Sequence, residues 1–291
     1  MPQVEHNGVK LSYRLVGSGS TALLIHGLGA NMAFWHPLLV RALGQRRQLL
    51  MYDLRGHGYS SLVPDGYTSG DLAGDALRLV ESLEVESVDV VAHSFGAGVA
   101  LQLLRLAPQC VRSLVILDGR IRLLQPVQKL RDWEHWHTWW RYFEAAGVVV
   151  DDDQELDFSL LTIMSDPRFA EVRMNLEADG FFVPFGLWNA GRRSAAKWRR
   201  LIEETTAPVD FQDASGLSVE FLEQIRIPTT VIYGEYSHCL PTRDGLLRHV
   251  PDCRKAMLAG VGHNFPVLRP EETARQIETF WTTCCSAKAA S

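Results

Sequence analysis

Three residues stand where this chain can concentrate chemistry: Ser94 in VVAHSFGAG (90–98), His263 in LAGVGHNFPVLRPEE (258–272) and Asp118 in SLVILDGR (113–120). In the first, an apolar run leads into Ala92-His93-Ser94-Phe95-Gly96 and then into the small-residue helix GAGVALQLLRLA. A sharp strand-to-helix turn of the small-x-Ser-x-Gly kind lifts a serine hydroxyl clear of the backbone, and small neighbours let the turn close. The helix N-terminus brings the Phe95 N–H toward a developing oxyanion. The pattern alone is moderately specific; its place between strand and helix strengthens it against the competing reading of a serine in an ordinary turn. LLIHGLGANMAFW (23–35) adds a second element. Gly27 lets the backbone turn, the Leu28 N–H can supply a second oxyanion donor, and His26 reads as structural. His263, on a glycine-flanked loop, has the mobility and exposure of a general base. Serine, histidine and a carboxylate together suit nucleophilic acyl transfer.

Strands must hold these residues. Short apolar runs at 9–15, 21–27, 48–54, 87–93, 113–119, 229–234 and 254–260 alternate with helix-like stretches near 34–44, 69–84, 96–106, 241–250 and 271–283. This alternation predicts an α/β fold with a mostly parallel central sheet flanked by helices. Runs apolar at nearly every position fit strands buried on both faces. The residues before Gly17 predict an antiparallel hairpin at the sheet edge.

The alternation breaks after Asp118 and resumes at Ile227. A stretch of this length is too long for a plain loop in a compact domain. It reads as an inserted helical lid, dividing the chain into a core segment 1–120, a lid 121–222 and a core segment 223–291. In RDWEHWHTWWRYFEAAG, Trp133, Trp136, Trp140 and Phe143 recur at helical spacing. The stripe reads first as a packing face and second as a binding wall; Trp136 and Trp140 are its candidate substrate-binding residues. The acidic run 151–157 and the basic run 192–200 read as solvated faces, paired with each other. The basic run is also a minor candidate for docking an acidic acyl carrier.

Composition narrows the function classes. Of 291 residues, 46% are hydrophobic and 22% charged, as in ordinary globular proteins. A net charge of −5 gives no electrostatic footprint for nucleic acid. Apolar runs fall short of a membrane span, and the first residues lack the pattern of a signal peptide. Five cysteines, at 110, 239, 253, 284 and 285, are odd in number and lack metal-ligand spacing. They read as reduced thiols in a cytoplasmic protein, with a lipid anchor at Cys284 and Cys285 a minor alternative. No cofactor or metal is expected.

In order along the chain, strand–HG, strand–DLRGHGYS, strand–AHSFG, an insertion, strand–YGE and strand–GVGH resemble the α/β-hydrolase superfamily from about residue 9 to 283. The resemblance implies a serine hydrolase, with Ser94 as nucleophile, His263 as base and the N–H groups of Leu28 and Phe95 as the oxyanion hole. Asp53, Arg55 and His57 would then be structural. Ser94 itself sets the chain apart from the superfamily branches that use a carboxylate at the elbow. One position departs from the family pattern. Where the triad acid is usual, a few residues past the next-to-last strand, VIYGEYSHCLP (231–241) carries Ser237. Asp118, Glu235 and Asp244 remain as candidate acids, with Asp118 favoured because it ends a strand near the site. His238 and Cys239 read as loop residues. The expected function is hydrolysis of an ester or thioester of a hydrophobic small molecule. A lyase, cyclase or carbon–carbon bond hydrolase is one alternative, and a weakly catalytic receptor of the same fold is another.

Overall fold

The structure, a computed structural model, describes all residues except His36, Pro126, Leu187, Trp188, Ala290 and Ser291. Eight strands form one sheet: β1 (Gln3–His6), β2 (Val9–Val16), β3 (Thr21–Ile25), β4 (Gln48–Tyr52), β5 (Val88–His93), β6 (Val111–Leu117), β7 (Thr229–Gly234) and β8 (Arg254–Leu258). Their spatial order is β1-β2-β4-β3-β5-β6-β7-β8. The β1–β2 hairpin is antiparallel and joins the sheet through an antiparallel β2–β4 pair; every later pairing is parallel. Asn7 and Gly8 make its turn with φ of 47° and 79°, the double positive pair of a tight hairpin. The central strands β3, β5 and β7 are buried at every position, because helices cover both faces of a parallel sheet.

The helices are α1 (Pro37–Leu43), α2 (Ser69–Ser82), α3 (Gly96–Leu106), α4 (Trp136–Ala145), α5 (Leu156–Ser165), α6 (Ala170–Ala178), α7 (Asn189–Glu204), α8 (Ala207–Asp210), α9 (Val219–Glu223), α10 (Leu240–His249), α11 (Phe265–Leu268) and α12 (Pro270–Ala289). Apolar clusters lie on either face of the sheet. Leu72, Leu79, Val99 and Leu103 of α2 and α3 pack in one, and Leu39, Leu43, Ile277 and Phe280 of α1 and α12 pack in the other.

The chain divides into two compact units, residues 1–125 with 206–291 and residues 126–205. Residues 206–222, expected in the insertion, belong to the larger unit. Leu222 of α9 is buried in its core, and Phe211 packs against Tyr67 and Phe95. A missing strand signal marks where the sheet pauses; it does not tell which unit a short helix packs on. The smaller unit, α4 to α7, holds its own cluster of Leu130, Trp136, Trp139, Phe143, Met164 and Leu176. In its charged runs, Asp153 pairs with Lys129 and Arg131, and Arg200 with Glu204.

Candidate active site

The site begins at the end of β5. Ser94 follows directly with φ of 55°, a left-handed conformation that a non-glycine residue holds only under constraint from its surroundings. A Cβ at Gly96 would lie 2.6 Å from the Ile25 carbonyl oxygen and 2.8 Å from that of His26. Any larger residue there would push α3 off β3 and open the turn.

Strand register brings the second residue alongside. His93 pairs with Leu117, and Leu117 with Ile232, so the residues just past these ends converge. Ser94 N–H donates to the Leu117 carbonyl at 3.2 Å, and Asp118 N–H to the Ile232 carbonyl at 2.9 Å. From the loop after β8, His263 places Nε2 3.0 Å from Ser94 Oγ and Nδ1 2.9 Å from Asp118 Oδ1. A carboxylate only accepts, so the Nδ1 proton faces Asp118, and in the neutral ring Nε2 turns its lone pair to the serine hydroxyl.

Asp118 is fully buried and well satisfied. Gly234 N–H donates to Oδ2 at 2.9 Å, and the Ser237 hydroxyl donates to Oδ1. Burial pushes its carboxyl up, but His263, the Gly234 N–H and Ser237 outweigh burial and hold it below its ordinary value. Burial alone would lower His263; Cys239 and Asp118, which face it, raise it to about 9. The other candidate acids are engaged elsewhere. Glu235 accepts from the Gly260 N–H at 2.8 Å, and the exposed Asp244 pairs with Arg243 at 2.7 Å.

The loop after β3 is fixed against the elbow. A Cβ on Gly27 would meet Ser94 Cβ at 2.8 Å, so Leu28 enters beside the serine. Asp53 accepts from the Met32 and Tyr59 N–H groups, each at 2.7 Å, and His57 Nε2 accepts from Gly29 N–H at 3.1 Å. Arg55 makes a two-pronged ion pair with Asp75 at 2.9 and 2.6 Å. His26 donates to the Gly27 carbonyl at 2.8 Å and accepts from Leu54 N–H at 3.1 Å. The structural reading of these four side chains therefore fits their bonds. Among the described residues, neither the Leu28 N–H nor the Phe95 N–H has a hydrogen-bond acceptor, which leaves both able to meet an oxyanion.

Two residues join the site without a signal in the sequence. Ser237 donates to Asp118, whereas its one-letter context showed only a missing acid. His93 lies between the rings of Phe34 and His263, at 4.4 and 4.7 Å, and its Nε2 meets the His263 carbonyl at 3.0 Å. Burial and the neighbouring His263 charge push His93 down to about 3, so it packs as a neutral ring. Trp136 and Trp140 belong to the smaller unit. Trp136 is 4% exposed, packs on Phe143 and donates from Nε1 to Asp152 at 3.3 Å. These contacts fit the packing reading of Trp136 rather than the substrate-binding one. Trp139 takes the next buried place on the stripe, and Trp140 is 37% exposed.

Comparison with known proteins fits this geometry. Over 113 residues the chain is 36% identical to an uncharacterized protein of Mycobacterium bovis, covering 39% of this chain and 33% of that one. Over 116 residues it is 34% identical to the 2-(acetamidomethylene)succinate hydrolase of Mesorhizobium japonicum, covering 40% and 41%. The match thus spans well under half the length of these relatives. The crystal structure of the enol-lactonase from Burkholderia xenovorans superposes with a TM-score of 0.66 at 19% identity, covering 97% of this chain and 100% of that one. A family model described as alpha/beta hydrolase fold matches residues 23–265. The chain belongs to the alpha/beta hydrolase fold family.

Proposed function

We propose that the protein is a cofactor-independent serine hydrolase that cleaves an ester or thioester of a hydrophobic small molecule through an acyl-enzyme. Ser94 Oγ attacks the carbonyl carbon while His263 Nε2 takes its proton, and Asp118 stabilises the imidazolium. The N–H groups of Leu28 and Phe95 hold the oxyanion. His263 then returns the proton to the leaving oxygen or sulfur, which departs and leaves Ser94 acylated. Water, deprotonated by His263, attacks the acyl carbon and frees the serine.

One observation carries this reading: the continuous chain Ser94 Oγ, His263 Nε2, His263 Nδ1, Asp118 Oδ1, with links of 3.0 and 2.9 Å. The Mesorhizobium relative, named as a hydrolase, supports hydrolysis and leaves the acyl group to this chain's own residues. The aromatic content of residues 126–205 supports a hydrophobic substrate. The free thiols Cys110, Cys239, Cys253 and Cys284 support a cytoplasmic setting, and no described helix is long and apolar enough to cross a membrane.

A fluorophosphonate probe tests the nucleophile. Wild type is expected to label at one site and Ser94→Ala to stay unlabelled. A panel of p-nitrophenyl esters and acyl thioesters, with products identified, tests the reaction class. Undiminished labelling of the alanine variant would overturn the assignment, and turnover confined to carbon–carbon bonds would move the enzyme to that branch.

A further inference from the structure

The loop after β7 brings two more donor groups against His263. Cys239 Sγ lies 3.7 Å from His263 Nδ1, and the His238 and His263 ring centroids are 4.8 Å apart. One donor atom from each of His238, Cys239 and His263 lies within 4.8 Å of the other two. The thiol is buried, and both imidazoles are partly open to solvent. The triad holds the Nδ1 proton toward Asp118, so hydrolysis has no use for a thiol on that side of the ring.

One thiolate and two imidazoles make a soft-to-borderline donor set, suited to Zn²⁺ and its neighbours rather than to Mg²⁺ or Ca²⁺. Tetrahedral Zn²⁺ with bonds of about 2.0–2.3 Å sets its donor atoms roughly 3.3–3.7 Å apart. The Cys239–His263 contact of 3.7 Å already has that spacing, and the widest pair, at up to 4.8 Å, needs at most about 1.1–1.5 Å of closure. Solvent or Asp118, whose Oδ1 is 2.9 Å from His263 Nδ1, can complete the coordination.

We propose that His238, Cys239 and His263 form an inhibitory binding site for a borderline transition-metal cation of the Zn²⁺ class. On binding, the Cys239 thiol releases its proton to solvent and the thiolate takes the metal. His263 gives the metal its Nδ1 lone pair, so the one proton of the neutral ring must sit on Nε2. That nitrogen faces Ser94, and a protonated Nε2 cannot accept the serine proton. The cation therefore switches off the base while leaving the ring in place. Inhibition rests on the proposed role of His263; metal binding does not.

Co²⁺ serves as a spectroscopic probe of the full chain. Titration is expected to show one equivalent bound, with thiolate-to-cobalt charge transfer in the near ultraviolet and the visible bands of a four-coordinate site. Cys239→Ala should abolish the charge-transfer band and His238→Ala should weaken binding, whereas Cys110→Ala and Cys253→Ala should keep both. Zn²⁺ should displace Co²⁺ and lower p-nitrophenyl ester turnover about 10²-fold at saturation, reversibly on chelation, with each variant compared to its own metal-free rate. Absence of one-to-one binding, or a band that survives in Cys239→Ala, overturns the site. Binding without inhibition overturns its regulatory role. If Cys239→Ala fails to fold, undiminished Co²⁺ affinity in His238→Ala overturns the site instead. If the ester is not turned over at all, the serine hydrolase reading fails, while the cobalt spectrum still reports on the metal.

Discussion

The Ser237 hydroxyl donates to Asp118 Oδ1, the same carboxylate oxygen that faces His263 Nδ1. Ser237 stands after β7, where the family pattern puts its acid, and Asp118 arrives from the neighbouring strand β6. A carboxylate at both places would set two negative charges against one imidazole. A serine instead supplies a proton to the buried carboxylate, and its own oxygen accepts from the Cys239 N–H at 2.9 Å. Position 237 thus serves this site as a hydrogen-bond donor rather than a charge.

If Asp118 orients and stabilises His263, Asp118→Asn should lose about 10⁴-fold in kcat/KM while keeping its fold. Ser237→Ala removes one hydrogen bond to a charged group and should cost about tenfold. Glu235→Gln and Asp244→Asn, whose carboxylates bond Gly260 and Arg243, should stay within about twofold of wild type, since changes away from the site act weakly. Steady-state kinetics with circular dichroism on all four variants decides this. A larger loss from Glu235→Gln or Asp244→Asn than from Asp118→Asn would return the acid to the loop after β7.

The pH–rate profile should report the raised His263. The base must be neutral to act, so kcat/KM should climb with pH, its midpoint above the ordinary 6.5 and toward about 9. The sign for stability runs the other way. A raised folded-state pKa favours the protonated ring, so this stabilisation is complete below 6.5 and is lost as pH rises toward about 9. Removing either raising partner, by Asp118→Asn or Cys239→Ala, should move the kinetic midpoint down. Measurements in chelator-containing buffer that find it unmoved in both would exclude these partners as the cause.

Much of the framework was legible because single residues carried it. β3, β5 and β7 each carry a continuous apolar run, ALLI, VVA and VIY, and Ser94 sits at a strand-to-helix junction that few other uses require. Which carboxylate reaches His263 was less open to reading, because it depends on the register of β6 against β7 and on where each loop turns. The phase of the tryptophan stripe was ambiguous for a local reason. Adjacent Trp139 and Trp140 allow two helical faces, and spacing alone cannot choose between i, i+3 and i, i+4. The grouping of Cys239 with His263 joins residues 24 apart, through a loop whose path only the folded chain defines.

His26 gives a second, independent pH signature. Both ring nitrogens are committed, one to the Gly27 carbonyl and the other to the Leu54 N–H. Protonation would turn the acceptor at Leu54 into a donor facing a donor. Burial therefore takes His26 down to about 4, and His93 falls to about 3. Depressed pKa values mean that stability is complete above 6.5 and declines as pH falls, by up to about 1.4 kcal/mol per pH unit for each histidine. Urea unfolding between pH 7 and 5, above the main carboxylate range, should show the decline, and His26→Gln should roughly halve its slope. A flat wild-type curve over that window would show that these rings accept protons in the fold.

The last test separates two tryptophans one helical turn apart. Trp136 is buried in the smaller unit against Phe143, with its indole N–H on Asp152. Trp136→Ala should therefore open a cavity and cost about 3–5 kcal/mol, lowering activity evenly across substrates as that unit loosens. Trp140 has 37% of its surface exposed and so has less packing to lose than Trp136. If it meets the acyl group, Trp140→Ala should lower the melting temperature less than Trp136→Ala does and change the preference between esters of different chain length. Each methylene in an apolar pocket is worth about 1–3 kcal/mol of discrimination, so a series from acetate to decanoate would expose the change. An unchanged chain-length profile in Trp140→Ala would remove it from the substrate site. A chain-length shift in Trp136→Ala at wild-type stability would contradict its buried placement.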